Sequence, residues 1–175
     1  IAAATAGRSR IARVATLARR CTLALAVDSD LGIERLAAAL HAAGTDIAVF
    51  VEIDVGQGRC GAAPERAGVL ARRVLDSGLR FAGLQAYHGR AQHLRSGAER
   101  AAAIEHAAAC VRRAQAALAS AGLTCPLVTG AGTGSFVLEA ASGLWGELQA
   151  GSYLFLDRDY ADNTLADGAP RFEHA

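Results

Sequence analysis

Two glycine-rich stretches carry the side chains best suited to chemistry. Asp54-Val55-Gly56-Gln57-Gly58-Arg59-Cys60-Gly61 follows the β-branched run Ile47 to Ile53, and Gly130-Ala131-Gly132-Thr133-Gly134-Ser135 follows Leu127-Val128-Thr129. Glycine lets backbone N–H groups approach an anion closely, and a helix N-terminus adds a favourable dipole. A strand, a glycine turn and a helix in succession therefore suit a phosphate. The second stretch is the more specific, with Thr133 and Ser135 among its glycines, although either could be only a tight turn between strand and helix. Arg59 is either a permanently charged donor for a ligand or a solvated surface charge. Cys60 beside it has no identifiable partner base and reads as structural. Glu52 and Asp54 lie two apart on a strand and share a face, where orienting or packing roles suit them better than a catalytic pair. Tyr87 and His88 close another strand. His93 and His106 read as surface residues and Trp145 as packing.

The inventory bounds what these residues can serve. At 175 residues, 52% hydrophobic and 20% charged, the chain is one ordinary globular domain with enough apolar side chain for a core. The net charge is +1 with the signs mixed along the chain, so no nucleic-acid partner is expected. No apolar run is long enough to span a bilayer and no signal sequence opens the chain, so no membrane partner is expected. Cys21, Cys60, Cys110 and Cys125 are widely spaced without a CxxC pair, which argues against zinc and for reduced thiols in a cytoplasmic protein. All 18 basic side chains are arginine, and there is neither lysine nor methionine. Biased codon usage accounts for the arginines, whereas a start at Ile1 leads us to expect a fragment.

The elements that must position these residues alternate. Arg8 to Arg20 has an approximate helical stripe, and Thr22 to Val27 is a short apolar strand ending at Asp28-Ser29-Asp30, which supplies an N-cap. Leu31 to Ala43 reads as helix ending at Gly44, Ile47 to Ile53 as strand, Pro64 to about Ser77 as helix and Phe81 to Tyr87 as strand. Gly97 to Ser120 is an amphipathic helix with Ile104, Ala108, Val111 and Leu118 on its apolar side. Leu127 to Thr129 is a strand, a short helix runs through Ala141, and a last strand lies near Glu147-Leu148-Gln149 before a turn at Gly151-Ser152-Tyr153. Strands that are continuous apolar runs call for a parallel sheet buried on both faces. The polar and glycine-rich residues fall just after the strands, the edge where parallel barrels and open sheets bind ligands.

Four segments, in order, resemble the D-threonine aldolase and 3-hydroxy-D-aspartate aldolase family: Val51 to Gly61, Gly83 to Gly89, Thr129 to Ser135 and Glu147 to Tyr153. That family is related to D-serine dehydratases and, more distantly, to alanine racemase. The resemblance implies that residues 1–175 form an α/β domain, a partial parallel (β/α)8 TIM-type barrel of about five βα units, strands 4 to 8. It further implies a pyridoxal-phosphate enzyme in which Arg59 hydrogen-bonds the pyridine nitrogen and Tyr87 sits against the cofactor. Thr129 and the amides around Gly130, Gly151 and Ser152 would hold the phosphate, with Gln85 and His88 as further candidates. The Schiff-base lysine of the family lies on a strand this chain lacks. The ligands of its divalent metal, of the manganese or magnesium type, lie in a further domain.

Three functions stay open on this reading: retro-aldol cleavage of a D-3-hydroxy amino acid to glycine and an aldehyde, dehydration of the same substrates, and a silent fragment that binds phosphate-bearing ligands. The parent is expected to be a homodimer. A five-strand segment of a barrel leaves two unpaired edges, Thr22 to Val27 and Glu147 to Gln149, and an inner face expected to include Val51 and Leu84.

Overall fold

The computed structural model describes residues 7–155, 158–165 and 167–171. Helix α1 spans Arg8–Leu17, strand β1 Ala24–Val27, α2 Asp30–Ala43, β2 Ala48–Glu52, α3 Ala67–Asp76 and β3 Arg80–Ala86. Then come α4 Gly97–Ser120, β4 Val128–Gly130, α5 Phe136–Ala141, β5 Glu147–Leu148 and α6 Arg158–Ala161. Short 3₁₀ turns cover Pro64–Arg66, Gly89–His93 and Ser152–Leu154.

The five strands form one sheet in the order β1-β2-β3-β4-β5, and every pairing is parallel. Each strand thus neighbours its successor in sequence, as in a barrel wall. A doubly wound sheet instead reverses its strand order at a switch point. The helices between strands form because their ends are signalled locally. The Ser29 hydroxyl accepts from the Gly32 N–H at 3.3 Å to open α2, and Gly44 closes it in the left-handed region at φ 61°. Helix α4 keeps the boundaries expected from its periodicity, with Ile104, Ala108, Val111 and Leu118 all buried.

One apolar cluster joins the helices to the sheet. It takes Ile11 from α1, Ile33, Leu36 and Leu40 from α2, Leu70 and Val74 from α3, and Val111 and Leu118 from α4. From the strands it takes Leu25, Val27, Val49, Val51, Leu84 and Val128. Val51 and Leu84 therefore face the helices, contrary to the expectation that they line the inner face. The cause is parity: side chains alternate along a strand, and a run apolar on both faces gives no sign of which set points inward. The face turned away from the helices carries Ala26, Phe50 and Glu52, then Gln85 and Thr129. Register between β2 and β3 shifts at Val49/Phe50, and Gly83 absorbs the irregularity at φ 138°. A Cβ on Gly83 would lie 1.9 Å from the Leu127 carbonyl oxygen, so no other residue fits there.

Strands β1 and β5 each pair on one side only among the described residues, leaving two rows of backbone donors and acceptors open. Beyond β5 the side chains of Tyr153, Leu154 and Phe155 are exposed, Phe155 at 93%. We expect the 175-residue chain, produced alone, to elute from a sizing column as assemblies or aggregates. A monomer that melts cooperatively would show that these edges need no partner.

Candidate functional site

A row of polar side chains crosses the sheet at the carboxyl ends of its strands. Register places Glu52 beside Gln85, Gln85 beside Thr129 and Thr129 beside Glu147. Gln149, just past β5, ties the row together. Its amide nitrogen donates to Gln85 Oε1 at 2.8 Å and to the Thr129 hydroxyl at 2.9 Å, while its Oε1 accepts from Gln85 Nε2 at 3.3 Å. The Thr129 hydroxyl in turn donates to Glu147 Oε1 at 2.5 Å. Buried polar groups are costly unless bonded, and the buried Gln85 and Thr129 are satisfied by half-buried Gln149 and exposed Glu147 on the β5 side.

Glu52 is the exception in the row. It is 4% exposed, its Oε1 accepts from the Cys60 thiol at 2.9 Å, and its Oε2 has no partner. Arg59 hydrogen-bonds the same sulfur. That bond first, then the charges of Cys60, Glu52 and Tyr87, holds its pKa above the ordinary value. Burial, then the bond to Glu52, pushes the Cys60 thiol up, so it is a proton donor to Glu52 and no activated nucleophile. Glu52 and Asp54 do not form a pair. The Asp54 carboxylate closes its own loop by accepting from the Gly56 and Gly58 N–H groups at 2.9 and 3.1 Å. Burial opposes its ionisation, but the amides of Gly58, Gly56 and Gln57 prevail and lower its pKa.

The loops after the strands interlock on one rim. The Gly61 N–H donates to Asp28 after β1, and the Gly89 N–H after β3 donates to Gln57 Oε1 at 2.9 Å. Gln92 reaches from the β3 loop into the β4 glycine turn: its Oε1 accepts from the Gly134 N–H and its Nε2 donates to the Ser135 hydroxyl, both at 2.7 Å. The Thr133 hydroxyl accepts from the Tyr153 N–H at 3.1 Å, joining the β4 turn to the β5 loop. All four loops singled out from the sequence therefore meet, as expected.

The structure divides the two glycine motifs differently from their spelling. A Cβ on Gly130 would lie 2.3 Å from the Ala86 oxygen and 2.7 Å from Trp145 Nε1, and one on Gly132 or Gly134 would collide with Gln92. These three glycines make room for packing. Gly151 has open space around it, and Gly151 and Ser152 are exposed. Ala131 takes φ 63°, a strained conformation that costs about 1–2 kcal/mol. Two hydrogen bonds tie the turn to the Gln92 side chain, each contributing about 1 kcal/mol, which is of the size of that strain.

Of the sequence candidates, Gln85 and Thr129 are joined through Gln149, and Arg59 is coupled electrostatically to Tyr87. Gly151 and Ser152 stand on the β5 loop, which the Tyr153 N–H ties to the β4 turn. His88 is buried. Its Nδ1 accepts from the Ala91 N–H at 3.3 Å, and burial first, with His106 nearby, keeps its pKa low. His93 and His106 are exposed and Trp145 is buried with its N–H on the Ala86 carbonyl at 3.1 Å, all as expected. Sequence reasoning missed Gln92, Gln149, Arg100 and Glu139. Arg100 is 1% exposed and donates to the carbonyls of Leu94, Arg95 and Thr164. The one available signal was Glu139 at i+4 from Ser135 on a helix, a spacing that brings side chains together.

Residues 4–159 match the family described as alanine racemase, N-terminal domain. The chain is 42% identical over 171 residues to a D-threonine aldolase of Arthrobacter sp, covering 97% of the chain and 45% of that protein. It is 40% identical over 163 residues to a 3-hydroxy-D-aspartate aldolase of Paracoccus denitrificans (strain Pd 1222), covering 91% and 42%. The solved D-threonine aldolase from Filomicrobium marinum superposes with a TM-score of 0.90 and 46% identity, over 98% of this chain and 46% of that one. The chain thus spans less than half the length of the curated relatives it matches.

Glu139 gives a measurable consequence of burial at this site. It is 1% exposed. Burial, opposed by the Ser135 hydrogen bond and by Arg171, raises its pKa from 4.5 to about 7. A raised folded-state pKa favours folding while the group is protonated. That stability is present below about pH 4.5 and is lost as pH rises to about 7, in all about 3 kcal/mol. Replacing Glu139 by glutamine should remove this slope, so the variant gains on the wild type between pH 5 and pH 8 in urea unfolding. An unchanged difference at the two pH values would mean that the carboxyl titrates normally.

Proposed function

The chain belongs to the alanine racemase N-terminal domain family, and we propose that the protein carrying it is a pyridoxal-phosphate-dependent lyase that cleaves D-3-hydroxy amino acids to glycine and an aldehyde. The observation that carries this reading is the polar row Glu52, Gln85, Thr129 and Glu147, with the loops that carry Arg59, Tyr87, Gly151 and Ser152 interlocked at its rim. The likeness to aldolases over nearly the whole chain supports it.

The donor set fits a phosphorylated pyridine. Gly151 leaves space for a close approach, Ser152 offers an exposed hydroxyl and amide, and Arg59 brings an exposed guanidinium to the same rim. On this reading Gly151 and Ser152 take the phosphate, with Thr129 and Gly130 forming the floor beside them. Arg59 donates to the pyridine nitrogen. A guanidinium does not surrender its proton at working pH, so the nitrogen stays unprotonated and the ring withdraws electrons less strongly. Tyr87 stands against the cofactor as a neutral phenol. Its pKa is raised first by burial, then by Tyr160 and Glu139. Gln85, fixed by its reciprocal amide contact with Gln149, orients groups from below. Pyridoxal phosphate, when bound, supplies the electron sink for the carbon–carbon bond that breaks.

The sequence has no lysine, so no residue here can attach the cofactor through a side-chain amine. A divalent metal of the manganese or magnesium type belongs to the proposed enzyme. Among the described residues no group of three or more His, Cys, Asp and Glu could hold it, and no step is assigned to it. The proposed substrate is a small D-3-hydroxy amino acid and the proposed assembly a homodimer in the cytoplasm. No helix among the described residues is long and apolar enough to cross a membrane.

The test is turnover of D-threonine and D-3-hydroxyaspartate by the full protein. Glycine and an aldehyde are expected; ammonia and a keto acid would instead establish dehydration, and neither product would overturn the lyase reading. In that protein Arg59→Ala should lower turnover on the order of tenfold or more while cofactor affinity changes far less, because the phosphate contacts supply most of the binding. Equal losses, by absorbance titration and rate, would remove Arg59 from the pyridine nitrogen.

A further inference from the structure

The β4 turn is braced from behind by a buried chain of hydrogen bonds that the cofactor reading does not use. The Ser135 hydroxyl donates to Glu139 Oε1 at 3.0 Å and accepts from Gln92 Nε2 at 2.7 Å, and Gln92 Oε1 accepts from the Gly134 N–H. Gln92 is held in its turn by Asn163, whose side-chain amide donates to the Gln92 carbonyl at 3.0 Å. Gln92, Ser135, Glu139 and Asn163 are all 1% exposed or less. Above this chain sits strained Ala131, and Thr133 of the same turn accepts from Tyr153 of the β5 loop. The brace therefore ends on the two loops that the proposed phosphate contacts come from.

We propose that Glu139 is a positioning residue: through Ser135 and Gln92 it holds the β4 turn against the β5 loop in the shape that binds a phosphate, and its ionisation weakens that binding. The inference rests on the reading that these loops hold the cofactor's phosphate. Glu139 makes no contact with the ligand. It offers the acceptor that fixes the Ser135 hydroxyl proton, which leaves the hydroxyl's lone pairs to Gln92. Its second oxygen, Oε2, is buried without a partner, so a negative charge there is weakly compensated. A carboxylate in that position places negative charge behind an anion site, where low dielectric lets it act.

The charged and titratable groups around Glu139 are few. Arg171, from the segment after α6, faces it and donates to the Gly134 carbonyl. Tyr87, from the end of β3, feels its charge. On α4 the nearby charge is Arg100, which faces Arg171. Burial, against the Ser135 hydrogen bond and the charge of Arg171, keeps the Glu139 pKa near 7 and so places its titration in the physiological range.

The experiment is a calorimetric titration of inorganic phosphate into the full protein freed of its cofactor, at pH 6 and pH 8, with Glu139→Gln, Glu139→Ala and Ser135→Ala. Glutamine keeps the acceptor without the charge. Glu139→Gln should match the wild type at pH 6 and bind roughly two- to threefold tighter at pH 8. Ser135→Ala should bind about fivefold more weakly at both pH values. Glu139→Ala should bind about fivefold more weakly at pH 6 but only about twofold at pH 8, where it has also lost the charge. Comparing each variant with the wild type at the same pH cancels the titration of phosphate itself. Equal loss in Glu139→Gln and Glu139→Ala, with no pH dependence, would reduce Glu139 to a packing residue. So would wild-type affinity in Ser135→Ala. A wild type that binds no phosphate at either pH overturns the reading of the loops themselves, a result separable from the others.

Discussion

Parallel register is the constraint from which the rest of this molecule follows. Five strands laid side by side in chain order end on a common edge, and their last residues fall into line. A polar residue at the end of one strand then has a polar residue beside it on the next. Glu52, Gln85, Thr129 and Glu147 occupy that line, and Gln149 bonds two of them at once. Moving any one of these polar residues a single place along its strand would turn it into the apolar cluster under the helices. The same register that buries Val51, Leu84 and Val128 therefore lifts the polar set onto the opposite face.

From that line upward, order is passed from loop to loop. Each loop also takes a contact from its neighbour: Gly61 from Asp28, Gly89 from Gln57, Gly134 from Gln92, Tyr153 from Thr133. Backbone that cannot join the sheet still needs partners, and side-chain amides and carboxylates supply them. The strain at Ala131 survives for that reason, since the turn around it is fixed from several directions. A rim assembled this way is rigid where the loops interlock and open where they stop, at Gly151 and Ser152.

Most of the architecture was legible in the sequence, because apolar runs, N-caps and terminal glycines are local signals. Helix α4 and the Ser29 cap of α2 stand where their residues place them. Which face of each strand looks inward was not legible. Val49, Phe50 and Val51 are all buried, so alternation is invisible and Val51 was placed on the wrong side. The rim loops were found by their glycines and aromatic ends, whereas the brace behind them was not. Gln92 and Glu139 look like surface residues by type, and only the fold brings them within reach of Ser135 from 43 and 4 residues away. Arg100 hides for the same reason: its partners are backbone carbonyls, including one at Thr164.

The glycine motifs show how one spelling covers two kinds of physics. Gly130, Gly132 and Gly134 are glycines because a Cβ would strike the Ala86 oxygen, Trp145 or Gln92. The amide that an anion would need at Gly134 is already donated to Gln92. Gly151 meets no such obstacle, and its neighbours Ser152 and Tyr153 stand at the surface. Within the proposed enzyme the β4 turn is therefore a support, and direct phosphate contact shifts toward the β5 loop. Arg59 works by the opposite rule. It is exposed, yet Cys60, Glu52 and Tyr87 bias it toward keeping its charge. A site so divided keeps its permanent positive charge on one side of the rim and its open backbone on the other, with the polar row between them as the floor.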